Sequence, residues 1–395
     1  MHKLFLLDPA RVFLNHGSFG ACPAEVFAVY QQWQLELERN PVEFLGRRSG
    51  ALLAEARAVL AQYLGAQEQD LVFVPNATTG VNIVARSLAV ELGLTSGDEI
   101  LTTDHEYGAC NATWDWVCQH TGARRVPVDI PLPFCAAEFT ERVWAGVTPR
   151  TRVLFLSHIT SGTALIFPIA ELVQRARAAG ILTLIDGAHA PGHIPLNLDA
   201  LGADFYTGNC HKWLCAPKGS AFLHVRRDHH GLLHAPVISW GYSPGEASTN
   251  GHAAYTGTTL LERHLQWQGT RDVAAFLAVP AAIAFQQRHH WNQVQQRCHA
   301  LAAETLARVC AHTGLAPVCG DFDFGQMVVL PVPPMDLQTL GHRLLHEQGI
   351  EIPVTLYQTQ LFVRLSVQGY NTQNDLDVLV RALQTIYPAP ASHIA

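Results

Sequence analysis

Seven short apolar runs, rich in branched residues and spread through the first 225 positions, constrain this chain more than any other feature. They are Leu71–Val74, Glu99–Thr102, Arg125–Asp129, Val153–Ser157, Ile181–Ile185, Asp204–Tyr206 and Ala221–Val225. Several are separated by helical stretches such as Pro168 to Ala179. Runs this apolar suit strands covered on both faces. Strands joined through helices run parallel, because a parallel pair needs a long crossover. The expected architecture is α/β, with a mostly parallel seven-stranded sheet between helices.

The flanks differ. The first stretch contains Phe13-Leu-Asn-His-Gly-Ser-Phe-Gly20, which is punctuated by glycine and reads as irregular. A helix is expected from Ala24 to Arg39, broken at Asn40-Pro41. Another spans Ser49 to Leu64, with Leu53, Ala56, Leu60 and Tyr63 on one face. Beyond Asp272 a long helical region reaches Thr313, interrupted near Pro280. A strand at Met327–Leu330, a helix at Leu337–Gln348, strands at Ile350–Val354 and Leu361–Leu365, and a helix at Asn374–Tyr387 follow. A chain of 395 residues exceeds the usual single core. The pattern divides it into an N-terminal arm (1–23), a large domain (24–271) and a smaller C-terminal α+β domain (272–395).

Composition excludes several classes. A net charge of -7 argues against a nucleic-acid partner held by electrostatics. No apolar run reaches the roughly 18 residues of a membrane span. The start, Met1 to Asp8, is too short and too soon acidic for a signal peptide, so a cytoplasmic protein is expected. Nine cysteines without a C-x-x-C pair suit reduced thiols. The histidines form no H-E-x-x-H, and Pro191-Gly192 keeps His189 and His193 off a common helix, so no metal site is expected.

Chemistry concentrates just past the strands, where α/β sheets bind ligands. Lys212 is one of three lysines, beside Lys3 and Lys218, among twenty-three arginines. It follows Thr207-Gly-Asn-Cys-His211 after one strand, and Asp186-Gly-Ala-His189 ends the strand before it. A strand ending in Asp, then a strand ending in His-Lys, is the arrangement that a pyridoxal phosphate enzyme needs. The amine forms a Schiff base with the cofactor aldehyde, and the carboxylate keeps the ring nitrogen protonated so that the ring accepts electrons. Thr78 and Thr79, in Pro75-Asn-Ala-Thr-Thr-Gly80, offer hydroxyls and helix-start amides to a phosphate, or serve only as an ordinary cap. In Asp104-His-Glu-Tyr-Gly108, an aromatic or imidazole ring can lie on the cofactor ring. His158 belongs to a polar loop within reach of the ring oxygen. Arg364 sits inside an apolar strand, where a charge is costly unless paired, and a guanidinium forks naturally onto a substrate carboxylate.

Together these residues resemble the class V aminotransferase group of fold type I pyridoxal phosphate enzymes, over Phe13 to about Asn371, and most closely its isopenicillin N epimerase-like branch. The carrying motifs are Leu14–Gly20, Asn40-Pro41 with Arg47 and Arg48, His105–Gly108, Thr207–Gly219 and Gly269–Asp272. The resemblance implies Lys212 as the Schiff-base lysine, Asp186 at the pyridine nitrogen and His189 near the ring hydroxyl. Thr78 and His211 would hold the phosphate, with Thr270 reaching it from the partner subunit of a homodimer. Asn209 stands where the family usually has serine, and Tyr107 where its desulfurases stack a histidine. Arg364, with Asn15, His16, Arg47 and Arg48, would surround a small amino-acid substrate.

The implied reaction starts with removal of the α-proton by Lys212, with Tyr107 as a second acid. It ends in epimerisation, in C–S lysis of a cysteine derivative, or in transamination. A silent cofactor-binding scaffold is the non-enzymatic alternative. No cysteine lies between Gln326 and Arg364, where the family's desulfurases carry their persulfide, so that outcome is not expected.

Overall fold

The computed structural model describes residues 1–242 and 253–388. Twelve strands occur among them: β1 (Val12–Phe13), β2 (Leu71–Val74), β3 (Glu99–Thr103), β4 (Arg124–Val128), β5 (Thr151–Ser157), β6 (Leu182–Asp186), β7 (Phe205–Asn209), β8 (Ala221–Val225), β9 (Met327–Pro331), β10 (Ile350–Glu351), β11 (Val354–Tyr357) and β12 (Gln360–Ser366). The seven apolar runs read from sequence are β2 to β8. They form one sheet in the order β2-β8-β7-β6-β5-β3-β4, in which only β8 runs against its neighbours.

Strand periodicity builds the layers. Successive side chains point to opposite faces, so β5 sends Val153 and Phe155 to one apolar cluster and Leu154 and Leu156 to the other. The first cluster is covered by the helices Ala77–Glu91 and Gly108–Thr121, through Val81, Val84, Leu88, Trp114 and Val117. The second is covered by the helices Ser49–Leu64 and Ala170–Ala178, through Leu53, Leu60, Leu172 and Val173. Both faces are therefore dry, as the apolar runs require.

Sequence and structure agree on the helices Ala24–Arg39 and Ser49–Leu64. They differ after Asp272, where three helices replace one interrupted region: Ala274–Leu277, Val279–Arg288 and Trp291–Thr313. Pro280 lies in the first turn of the second, where a missing N–H costs nothing. The break falls instead at His289–His290, with His290 at φ 50°.

The chain's last third forms an antiparallel sheet, β11-β12-β9, against the helix Trp291–Thr313. The first residues bind to it. β1 pairs with β10, and Asn15 bridges to Ser366 at the end of β12. At Gly20 the same segment crosses the lysine loop. Its φ is +71°, and a Cβ there would lie 2.0 Å from the His211 carbonyl oxygen. Only glycine fits so close an approach. The effect is to seat Ser18 and Phe19 above the carboxyl edge of the central sheet.

Candidate active site

A cavity of about 330 Å³ opens at that edge. Its walls come from the ends of β2, β3, β5, β6 and β7 and from the N-terminal segment. Lys212, Asp186, His189, Asn209, His211, Thr78 and Tyr107 all line it. These seven sequence candidates lie far apart in the chain, and they meet because each stands just past the carboxyl end of a strand.

Lys212 is buried around its amine, and burial, aided by the nearby Arg364 charge, lowers its pKa to about 8. Asp186 and Cys110 oppose that shift. The Lys212 Nζ lies 3.1 Å from His189 Nε2. Asp186 ends β6; its Oδ1 accepts the Ala188 N–H at 2.9 Å and its Oδ2 faces the Cys110 thiol at 3.4 Å. Burial nevertheless holds its pKa above the ordinary carboxylate value. A buried carboxyl so short of cationic partners suits a protonated heterocyclic nitrogen, which supplies the missing charge.

The opposite wall is the start of the helix Ala77–Glu91. Its cap is Asn76, which accepts both the Thr79 N–H and the Thr79 hydroxyl, at 2.8 and 3.0 Å. Asn209 Oδ1 accepts the Ala77 N–H at 2.9 Å and so ties this helix to β7. Thr79 is thus committed to the cap. Thr78, on the cavity wall, has no partner for its amide or hydroxyl among the described residues. A helix start with a free amide and hydroxyl fits a phosphate. His211 lies on the same wall. It donates Nδ1–H to the Ser220 carbonyl at 3.0 Å, which leaves Nε2 for a ligand. Burial, supported by Lys212 and Lys218, lowers its pKa to about 4.

Arg364, on β12, does not itself line the cavity but is bound to two residues that do, Ser161 and Ser18. Its Nη1 donates to the Ser161 carbonyl at 2.5 Å, and its Nη2 to the Ser18 hydroxyl at 2.9 Å. Ser18 in turn donates to Asn15 Oδ1 at 2.6 Å. Among the described residues the guanidinium has no carboxylate partner, and its Nε is buried without a hydrogen bond. Two serines on the cavity wall therefore hold a buried cation that, among those residues, lacks an anion.

Several candidates do not reach the cavity. His16 is fully buried; it donates Nε2–H to the Lys212 carbonyl at 3.0 Å and faces Tyr370 Oη at 3.1 Å. It supports the lysine loop instead of facing a substrate. Asn15 is held by Ser18 and Glu351. His158 turns inward to Tyr206 Oη at 2.8 Å, because alternate positions Ser157, Ile159 and Ser161 take the cavity side. Arg48 pairs with Glu36 at 2.5 Å, and Arg47 is exposed nearby in the turn Phe44–Arg48. Thr270 lines a separate hollow with Gln34, Leu37 and Asp272.

Four participants were not singled out in advance. Ser18 and Phe19 line the cavity, with Phe19 73% exposed at its mouth. Ser161 clamps Arg364. Glu106 is buried beneath the site, accepting from Ser157 N and Oγ at 2.8 and 2.6 Å and from Thr103 Oγ1 at 2.7 Å. Burial, opposed by those donors, raises its pKa to about 7. All four lie in or beside motifs that the sequence marks, but their side-chain directions depend on tertiary contacts.

Residues 20–379 match the class V aminotransferase family. The chain belongs to that family. The isopenicillin N epimerase of Amycolatopsis lactamdurans is 39% identical over 387 residues, covering 96% of each chain. The hercynylcysteine sulfoxide lyase of Schizosaccharomyces pombe is 30% identical over 389 residues, covering 97% of this chain and 96% of its own. Among solved structures, the cysteine desulfurase CsdA of Escherichia coli superposes with a TM-score of 0.77 at 23% identity, covering 97% of this chain and 96% of its own. A variant of C-DES with glycine linked to its PLP cofactor gives 0.77 at 21% identity, covering 94% and 96%. The fold is that of the fold type I enzymes, and the family's cofactor is pyridoxal phosphate.

Proposed function

We propose that this protein is a pyridoxal phosphate enzyme in which the freed Lys212 amine removes the α-proton of a small amino acid, or amino-acid conjugate, and the substrate leaves as an epimerised or β-eliminated product. One observation carries this reading: a single cavity is lined by an amine and a carboxyl short of cations, and two of its wall serines hold a buried guanidinium that has no carboxylate among the described residues. Bound there, the cofactor supplies an electron sink for the charge left at Cα.

The protein's own residues do the rest. Arg364, braced by Ser18 and Ser161, takes the substrate carboxylate in a forked pair. Asp186 holds the proton on the ring nitrogen. Thr78, the Thr78 amide and His211 take the phosphate. Burial lowers the pKa of Lys212 to about 8, which raises the neutral share of its amine far above that of an ordinary lysine, so its Nζ can accept the proton from Cα. Tyr107 lines the cavity and is 46% exposed; in this reading its phenol is the acid that protonates Cα or a leaving sulfur.

The likeness to an epimerase over nearly the full chain favours epimerisation. The lyase relative favours C–S cleavage as the second reading. No cysteine lies on the cavity wall among the described residues, which weighs against persulfide formation. In the same reading the protein is a cytoplasmic homodimer in which Thr270 completes a neighbour's phosphate site, and the units 1–23 and 272–395 close over the cofactor site carried by 24–271. Thr270→Ala should then weaken cofactor retention in step with dimer content, and sedimentation of a fully active monomer would contradict the shared site.

The deciding experiment incubates the cofactor-loaded protein with L-amino acids and cysteine derivatives in deuterated water. Deuterium is expected at Cα of a D-isomer, or in the methyl group of pyruvate, whose former Cα carries no hydrogen. The absence of both D-isomer and pyruvate from every one of these substrates, with the α-proton never exchanging, would refute the proposal.

A further inference from the structure

Trp213 follows the lysine directly and is fully buried. Its ring lies between two imidazoles, with centroids 4.1 Å from His193 and 5.0 Å from His16. Its Nε1–H donates to His189 Nδ1 at 3.2 Å. An indole nitrogen can only donate, so Nδ1 of His189 must carry the lone pair. The ring proton of His189 is then on Nε2, the atom 3.1 Å from Lys212 Nζ. That contact is a hydrogen bond only if Nζ has a lone pair to accept with. The neutral amine has one and the ammonium does not.

We propose that Trp213 is a positioning residue that acts on Lys212 through His189: its indole N–H fixes the imidazole in the Nε2–H form, which offers the lysine a donor and never an acceptor. The consequence is a preference for the free amine, the form that captures an aldehyde and takes up a proton. The relay begins further out. The Gln326 N–H, just before β9, donates to His193 Nε2 at 2.7 Å, so His193 donates Nδ1–H to the His189 carbonyl at 3.2 Å. The C-terminal sheet thereby holds the backbone of the same histidine that Trp213 orients.

Other charges face these groups. Lys212 also meets Arg364, which favours the free amine, and Asp186 and Cys110, which oppose it. His189 meets Lys212, Arg364, His193 and His16, all of which disfavour a second proton on its ring, as does burial. Of these only Lys212 touches a ring nitrogen, and its ammonium form would favour a proton on Nδ1, the position that the Trp213 N–H excludes.

The consequence for Lys212 rests on the functional reading above, but the tautomer does not, and two measurements separate them. In the full-length chain with ¹⁵N-labelled histidine, the His189 signals are those lost in His189→Asn. A proton-free, pyridine-like Nδ1 and a protonated, pyrrole-like Nε2 are expected; the reverse pattern, or a doubly protonated ring at neutral pH, overturns the proposal. The second measurement is the pH dependence of pyridoxal phosphate capture by Lys212, trapped with borohydride. Trp213→Phe keeps an aromatic ring but lets His189 turn an acceptor toward the lysine. The capture midpoint should rise by about one pH unit, roughly a tenfold loss of free amine near neutrality. In a His189→Ala background the same substitution should shift nothing. An equal shift in both backgrounds means that Trp213 acts by packing alone and overturns the relay. If Trp213→Phe does not fold, the spectrum of the unaltered protein still decides the tautomer. A wild-type Lys212 that captures no cofactor sinks the functional reading and leaves the tautomer to the spectrum.

Discussion

Asp204 and Asp186 are buried carboxyls on adjacent strands of one sheet, at opposite ends, and their surroundings could hardly differ more. Asp204, at the amino end of β7, accepts from Thr183 N and Oγ1 at 2.7 and 2.9 Å, from His229 at 2.9 Å, and pairs with Arg226 at 2.7 Å. Burial pushes its pKa up, but His229, Thr183 and Arg226 outweigh that and leave it lowered. Asp186, at the carboxyl end of β6, has one backbone donor, a thiol and a lysine that it does not bridge, and its pKa stays raised. The same contrast runs along both edges. At the amino edge Glu99 pairs with Arg124 and Arg150 at 2.7 and 2.9 Å. At the carboxyl edge Arg364 has no carboxylate partner among the described residues. Paired charges hold a sheet together, whereas incompletely paired ones are held ready for a ligand.

Lys212→Ala should have the largest effect. It should abolish visible cofactor absorption and turnover while the unfolding midpoint barely moves, because the loss is a covalent link in a cavity. Lys218→Ala loses only a bond from Nζ to the Gly20 carbonyl and should cost about 1 kcal/mol of stability. Equal damage from both would erase the distinction between site and scaffold.

The two aspartates test the comparison itself. Asp204→Asn removes the charge that faces Arg226 and His229, although Arg226 keeps its forked pair with Asp228, and should cost about 2–3 kcal/mol in denaturant unfolding, with any cofactor-loaded fraction retaining its rate. Asp186→Asn should leave stability unchanged or raised while nearly all turnover is lost. The signs with pH are also opposite. The folded pKa of Asp204 is depressed, so its stabilisation is present above the unfolded carboxylate value and is lost as pH falls through the folded one. The folded pKa of Asp186 is raised, so its cost to the cofactor-free protein is present above that pKa and is relieved as pH falls. If both variants destabilise alike, the two ends of the sheet are not different in kind.

Tyr107→Phe keeps the ring and removes the phenol. The cofactor spectrum should hardly change, while turnover slows by roughly 10²–10⁴-fold, as for a lost general acid. Exchange at Cα, which falls to Lys212, should be affected less. An unchanged rate would transfer the acid role elsewhere on the cavity wall. Arg364→Ala should mainly raise KM. A charge-assisted bond contributes about 1.5–3 kcal/mol, so the rise is roughly 10–100-fold. A fall in stability with KM unchanged would make Arg364 scaffold after all.

The fold was legible because its signal is local. Branched apolar runs such as Leu71–Val74 and Ala221–Val225 suit few structures besides buried strands, and β2 to β8 followed from them. The centre of the site was legible for the same reason, since Asp186 and Lys212 each stand just past a strand. Side-chain direction was not. Nothing local tells that His158 turns to Tyr206 while Ser161 turns to Arg364, or that His16 supports the Lys212 backbone while Ser18 and Phe19 face the cavity. The cap was misplaced for a related reason: Thr78 and Thr79 both suit a helix start, and the choice of Asn76 depends on Asn209 crossing from β7. Arg47, Arg48 and Thr270 lie outside the cavity of the single chain, and sequence spacing carries no information on that.

The most direct measurement is borohydride reduction of the pyridoxal phosphate-loaded protein followed by peptide mapping. The account predicts the reduced cofactor on Lys212, within the peptide that contains His211 and Trp213. Finding it on Lys218 or Lys3 instead would contradict the account.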